Sequence, residues 1–140
     1  MIENLQLNRY VVALVASVGA FAFSIGQASC AEEDSKKVLV LMVFDQNCKK
    51  FCKEVRPVLK DLKIAYGDKI VVTEVDVTQS VLSEASKRCK ELGVQSFLPA
   101  AIDVVPCVGI FNEKRKLRRE LVGPKKKQVY AKYIDKCLKK

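Results

Sequence analysis

The stretch Val38-Leu-Val-Leu-Met-Val-Phe44-Asp-Gln-Asn-Cys48-Lys-Lys-Phe-Cys52-Lys-Glu-Val-Arg-Pro57-Val-Leu-Lys-Asp-Leu62 decides the fold. Seven consecutive apolar residues are too few to span a membrane and suit a strand buried on both faces of a sheet. Asp45, Gln46 and Asn47 read as turn and helix-cap residues. The apolar period then changes: Phe51, Val55, Val58, Leu59, Leu62 and Tyr66 recur at three and four, the stripe of an amphipathic helix over 48–66. Two cysteines therefore lie where a buried strand hands over to a helix. Free backbone N–H groups and the positive end of the helix dipole meet there, and Lys49, Lys50 and Lys53 add charge; all favour a thiolate. A thiolate attacks disulfides and binds soft metals, so the environment suits either chemistry.

Farther along, Lys69–Val77 is β-branched and reads as a second strand, parallel to the first through a right-handed βαβ unit. Thr78 or Ser80 caps a second helix that runs to about Leu92 and stops at Gly93. Its inward stripe is Leu82, Ala85, Cys89 and Leu92. A connecting segment follows to Asp103. Val104–Phe111 follows as an aliphatic stretch through Pro106 and Cys107, Asn112-Glu113-Lys114 is a hairpin turn, and Leu117–Val122 a charged antiparallel edge strand. Gly123-Pro124 breaks it before a last helix, Lys125–Leu138, with Val129, Tyr130, Tyr133, Ile134, Cys137 and Leu138 inward.

Strand, turn, cysteine pair, and a helix with Pro57 five residues after the second cysteine: this pattern resembles the thioredoxin family. Val75-Asp76-Val77 resembles the family's second strand end, and Val105-Pro106 its aliphatic–cis-Pro pair. Pro99 competes for that role, but the spacing from Pro106 to Gly123 agrees with the family. The resemblance implies an α/β thioredoxin fold over residues 38–138: a four-stranded mixed sheet flanked by three helices and preceded by an N-terminal signal segment. It also implies thiol–disulfide exchange on protein thiols and disulfides. Cys48 would attack and Cys52 resolve, with Val105 and Pro106 presenting backbone to the substrate. Cys107, where the family usually carries Thr, would start a strand close to the pair, and Cys89 could meet it; both are candidate accessory thiols, against the plain alternative of small core residues.

The chain departs from the family in three places. Its motif is Cys48-Lys-Lys-Phe-Cys52, with three residues between the cysteines instead of two. No Trp precedes the pair, and no acid stands on strand 38–44 as proton acceptor for Cys52, leaving water or a lysine for that task. The wider spacing still permits a disulfide. Residues four apart in a helix have Cα atoms roughly 6 Å apart, inside the span of about 4.4–6.8 Å that disulfides accept.

Length and composition bound the rest. One domain accounts for 140 residues. Met1–Tyr10 is polar, Val11–Ile25 is small and apolar, and Ser29-x-Ala31 fits signal-peptidase cleavage before Glu32. Residues 1–31 thus read as a signal peptide and 32–140 as the exported domain, periplasmic or extracellular. Alternatives are an uncleaved N-terminal anchor with the domain outside the cytoplasm, or a lipidated Cys30. Export permits disulfides, and six cysteines are present with no His. Without His, Ser–His and Cys–His hydrolases are excluded, and no cofactor or resident metal is expected. The net charge of +9 is concentrated: residues 114–140 hold twelve Lys/Arg against Glu120 and Asp135. Such a segment suits an anionic membrane surface or simply a solvated face; nucleic acid is not expected without stacking aromatics. Two readings rival redox catalysis. One is a fold-only binding protein with structural disulfides. The other is a Cu(I) metallochaperone using Cys48 and Cys52, with Cys107 as a third sulfur.

Overall fold

A computed structural model describes residues 34–139. The expected signal segment, 1–31, lies outside the described residues. Four strands form one mixed sheet: β1 (Val38–Phe44), β2 (Ile70–Asp76), β3 (Cys107–Phe111) and β4 (Leu117–Val122), in the order β2-β1-β3-β4. β1 pairs parallel with β2 and antiparallel with β3, and β3 pairs antiparallel with β4. Val38 to Val43 have no exposed surface, as an uninterrupted apolar run requires of a central strand.

The helices are α1 (Lys49–Tyr66), α2 (Leu82–Glu91), α3 (Leu98–Ile102) and α4 (Lys127–Leu138). The sequence predicted three. The fourth, α3, is a five-residue helix within the segment read as a connection, with Pro99 at its start. Proline is pre-organised for that position and loses no helical hydrogen bond there. Leu98 and Ala101 bury its inner side.

Alternation along the strands builds a core on each face of the sheet. Val38, Val40, Met42, Val108 and Ile110 pack under α1 and α4, against Cys52, Val55, Leu59, Leu62, Tyr130 and Ile134. Leu39, Leu41, Val43, Cys107 and Phe111 pack under α2 and α3, against Ala85, Cys89, Phe97 and Ala101. The α1 stripe differs from the expected one in one member. Cys52 takes the buried place, one position on from Phe51, and Phe51 is half exposed. The spacing 52, 55, 59, 62 is itself a helical stripe, and Phe51 lies to one side of it.

α1 is fastened at both ends. At its C-terminus the Lys63 ammonium donates to the carbonyls of Gly67 and Ile70 at 2.9 and 2.8 Å. The Tyr66 hydroxyl donates to Asp135 of α4 at 2.7 Å. At its N-terminus the β1–α1 turn is tied to the end of β2. The Gln46 amide N–H donates to Thr78 Oγ1 at 3.0 Å, the Gln46 side chain donates to Asp76 at 2.9 Å, and the Thr78 hydroxyl donates to Asp76 at 2.6 Å. Burial pushes the Asp76 carboxyl upward, but the donors from Thr78 and Gln46, with the Arg56 charge, outweigh it and hold its pKa below the ordinary value. Asp76 therefore remains a carboxylate that anchors the turn carrying Cys48.

Candidate active site at the junction of β1 and α1

Cys48 is the N-cap residue of α1, the place expected for Asp45, Gln46 or Asn47. Those three form the turn before it: Asp45 accepts the Asn47 N–H on its side chain at 2.7 Å and the Cys48 N–H on its carbonyl at 2.9 Å. No side chain caps the helix, and no acidic residue stands in its first turn. A thiolate at Cys48 would be the negative charge at the positive end of the helix. The sulfur-bearing residue is partly exposed, and Lys49, Lys50 and Lys53 around it are exposed.

Cys52 sits one turn on, 2% exposed, facing the core under α1. Its pKa is pushed up to about 12 by burial, by the hydrogen bond of its thiol to Cys48 and by the charge of Cys48. The two thiols thus lie close together and electrostatically linked, and both are free. The four-residue spacing delivers a partly exposed thiol and a buried one to a single edge of the helix.

Two groups near Cys52 escaped the sequence reading. Arg56 lies four residues after Cys52, on the same side of α1. Its Nε donates to Glu74 Oε2 at 2.9 Å, and its guanidinium stands 4.6 Å from the centre of the Phe44 ring. Glu74 is the register partner of Met42 across β1 and β2. Both charges act on the Cys52 thiol, Arg56 lowering its pKa and Glu74 raising it. Spacing could have flagged Arg56. Glu74 needed the β1–β2 register, which the sequence does not print.

The Val105–Pro106 peptide bond is cis, and Pro106 immediately precedes β3. Val43 pairs with Cys107, so one step beyond the ladder Pro106 comes alongside Phe44, four residues before Cys48. Pro106 is buried, Val105 half-buried, and the Pro106 carbonyl accepts the Gly123 N–H at 2.8 Å.

Cys107 is placed differently from the expectation of proximity to the pair. Strand alternation turns it into the core under α2 and α3, whereas Cys52 faces the core under α1 and α4. It has no exposed surface. Burial pushes its thiol up to about 12, helped by the Glu120 charge and a hydrogen bond to that carboxylate. Cys89 lies in the same core as Cys107, fully buried and also raised by burial. Cys137 is buried on α4. The sheet thus separates Cys89 and Cys107 from the pair. Among the described residues, no three His, Cys, Asp or Glu side chains come together as a metal site, and no helix is long and apolar enough to cross a membrane.

The sheet order and the placing of the helices make this the thioredoxin fold. The chain is similar to a Chlorobium tepidum protein provisionally assigned as the thiol:disulfide interchange protein DsbE. The TM-score is 0.57 at 15% identity, covering 76% of this chain and 84% of that one. It is also similar to StoA from Bacillus subtilis, with a TM-score of 0.48 at 17% identity, covering 70% and 82%. At these identities the likeness is one of fold. No family model matches the chain, and no curated protein matches it in sequence.

Proposed function

We propose that the protein is an exported thiol–disulfide oxidoreductase acting through Cys48 and Cys52. The observation that carries this is the asymmetry of the pair. Cys48 is partly exposed at a helix N-cap, and Cys52 is buried close to it, with its proton held to about pH 12. The Cys48 thiolate attacks one sulfur of a substrate disulfide; the other leaves as a thiolate and takes up a proton. Cys52 then loses its proton and attacks the Cys48 sulfur. The second substrate thiol departs, and a Cys48–Cys52 disulfide remains. Two electrons and two protons pass to the substrate, and the reverse sequence oxidises a dithiol. Glu74 is the carboxylate this site offers to the departing Cys52 proton. Val105 and Pro106, at the end of β1 that leads to Cys48, are the backbone beside which the substrate chain would lie. Export rests on the apolar run Val11–Ile25 and the Ser29-x-Ala31 pattern. N-terminal sequencing of the mature protein should read Glu32.

Trapping tests the exchange reaction. Cys52→Ser should accumulate mixed disulfides with protein partners on non-reducing gels, because attack by Cys48 proceeds and release does not. Cys48→Ser should accumulate none. Absence of trapped species in both variants, with Cu(I) retained at one equivalent by the unsubstituted protein and lost in both, would replace redox exchange by copper binding.

A further inference from the structure

We propose that the groove between the β3–β4 hairpin and the end of α4 is a docking surface for an anionic lipid bilayer, which the domain meets with its cysteine pair turned away. The groove has a volume of about 600 Å³, and Lys114, Lys116, Arg118, Lys136 and Lys139 line it, with Cys137 buried at its wall. Glu113 is the sole acid among the described lining residues. None of the five cations forms a salt bridge with another described residue.

The backbone is shaped to concentrate this charge. The β3–β4 register shifts between Ile110 and Phe111: Ile110 pairs with Arg119 and Phe111 with Leu117, so Arg118 is the extra residue. A bulge of this kind re-aims a side chain. Here Arg118 lines the groove with Lys136, while the next residue, Arg119, lies over the Tyr133 ring of α4 at 5.3 Å. Two successive residues of an edge strand are thereby turned toward one helix, where regular alternation would send them to opposite faces.

Five cations against one acid suit an anionic surface, and the position of the groove sets how the domain would sit on it. The hairpin that forms one wall also holds the start of the domain. The Arg115 guanidinium donates to the Lys37 carbonyl at 2.9 Å and to the Asp34 carbonyl. Lys114 and Lys116 flank Arg115 in that hairpin, so the groove lies at the end of the sheet where β1 begins. Clustered basic residues are attracted to anionic lipid headgroups, by about five-fold in binding per residue. Cys48 follows the other end of β1, a seven-residue strand about 23 Å long. A bilayer on the groove would leave the cysteine end facing solvent and its protein partners. This docking stands whether or not the pair is a redox catalyst.

Lysine acylation of the full chain, read by mass spectrometry, tests it with an internal control. In phosphatidylglycerol vesicles Lys114, Lys116, Lys136 and Lys139 should acylate about five-fold more slowly than in phosphatidylcholine vesicles. Lys49, Lys50 and Lys53 at the cysteine end should react equally in both. Lys116→Gln combined with Arg118→Gln should raise the anionic lipid needed to half-protect Lys136 and Lys139 on the order of 25-fold, with the thermal midpoint of the domain unchanged. Equal acylation of the groove lysines in the two vesicles, or equal slowing at both ends of the domain, would overturn the proposal. So would the same protection by glycerol phosphate without vesicles, which would make the groove a small-anion pocket.

Discussion

At the residue scale, the chemistry turns on what lies beside Cys52. Its thiol is buried and protonated, yet resolution of a mixed disulfide needs it as a thiolate. Glu74 presents two effects of opposite sign. Its charge raises the pKa of the thiol, and its carboxylate is a base for the proton. Glu74→Gln separates them. With Glu74 as acceptor, the release step, measured by stopped-flow from a preformed mixed disulfide, should slow about ten-fold or more. A faster release would mean that Glu74 only disfavours the thiolate. Cys107 supplies a second expectation. Sequence adjacency to Pro106 makes it a candidate accessory thiol close to the pair. Its place on the opposite face of the sheet predicts otherwise: Cys107→Ala should leave the mixed disulfides trapped by Cys52→Ser unchanged in yield on non-reducing gels. The pair itself was legible because a strand-to-helix handover and a four-residue spacing are local features. The face that Cys107 occupies depends on the parity of β3 relative to β1, which only the register of Val43 with Cys107 fixes.

At the element scale, β3 is short and fully buried, and Gly109 at its centre is there for space. A Cβ at Gly109 would lie 2.6 Å from Phe111 Cε2 and 2.8 Å from Phe97 Cζ. Those two rings meet edge to face, with centres 5.3 Å apart, and roof the core under α2 and α3. Gly109→Ala must displace them, and should destabilise the domain by about 1–3 kcal/mol in urea unfolding. The strands and the three longer helices could be read in advance because each carries enough residues to show a period. Leu98–Ile102 could not: five residues make barely more than one turn, too few to distinguish a helical stripe from an apolar connection. The helix stop at Gly67 was readable. Its φ of 55° lies in the left-handed region that glycine occupies without a Cβ clash, and its N–H donates back to the Lys63 carbonyl.

Across the whole molecule, the sheet divides the described thiols between two apolar cores, and burial raises the pKa of Cys52, Cys89, Cys107 and Cys137 alike. Their ionisation sets how stability depends on alkali. The unfolded chain sheds thiol protons from about pH 9, whereas Cys52 and Cys107 in the folded chain keep theirs to about pH 12. Between those limits the unfolded state binds fewer protons, so stability falls as pH rises. A raised pKa therefore contributes stability that is whole below pH 9 and lost on the way to pH 12. The slope is about 1.4 kcal/mol per pH unit for each thiol so affected. Urea midpoints of the fully reduced protein should decline steadily from pH 9 to 11, and Cys107→Ala should flatten the decline by about one thiol's share. The oxidised protein ties this behaviour to the proposed chemistry. A disulfide between Cys48 and Cys52 removes the titrating thiol at Cys52 while leaving Cys89, Cys107 and Cys137 in place. Its midpoint should then fall less steeply than that of the reduced form over the same range. Identical slopes for the oxidised and reduced proteins would mean that Cys52 is not among the thiols oxidation consumes.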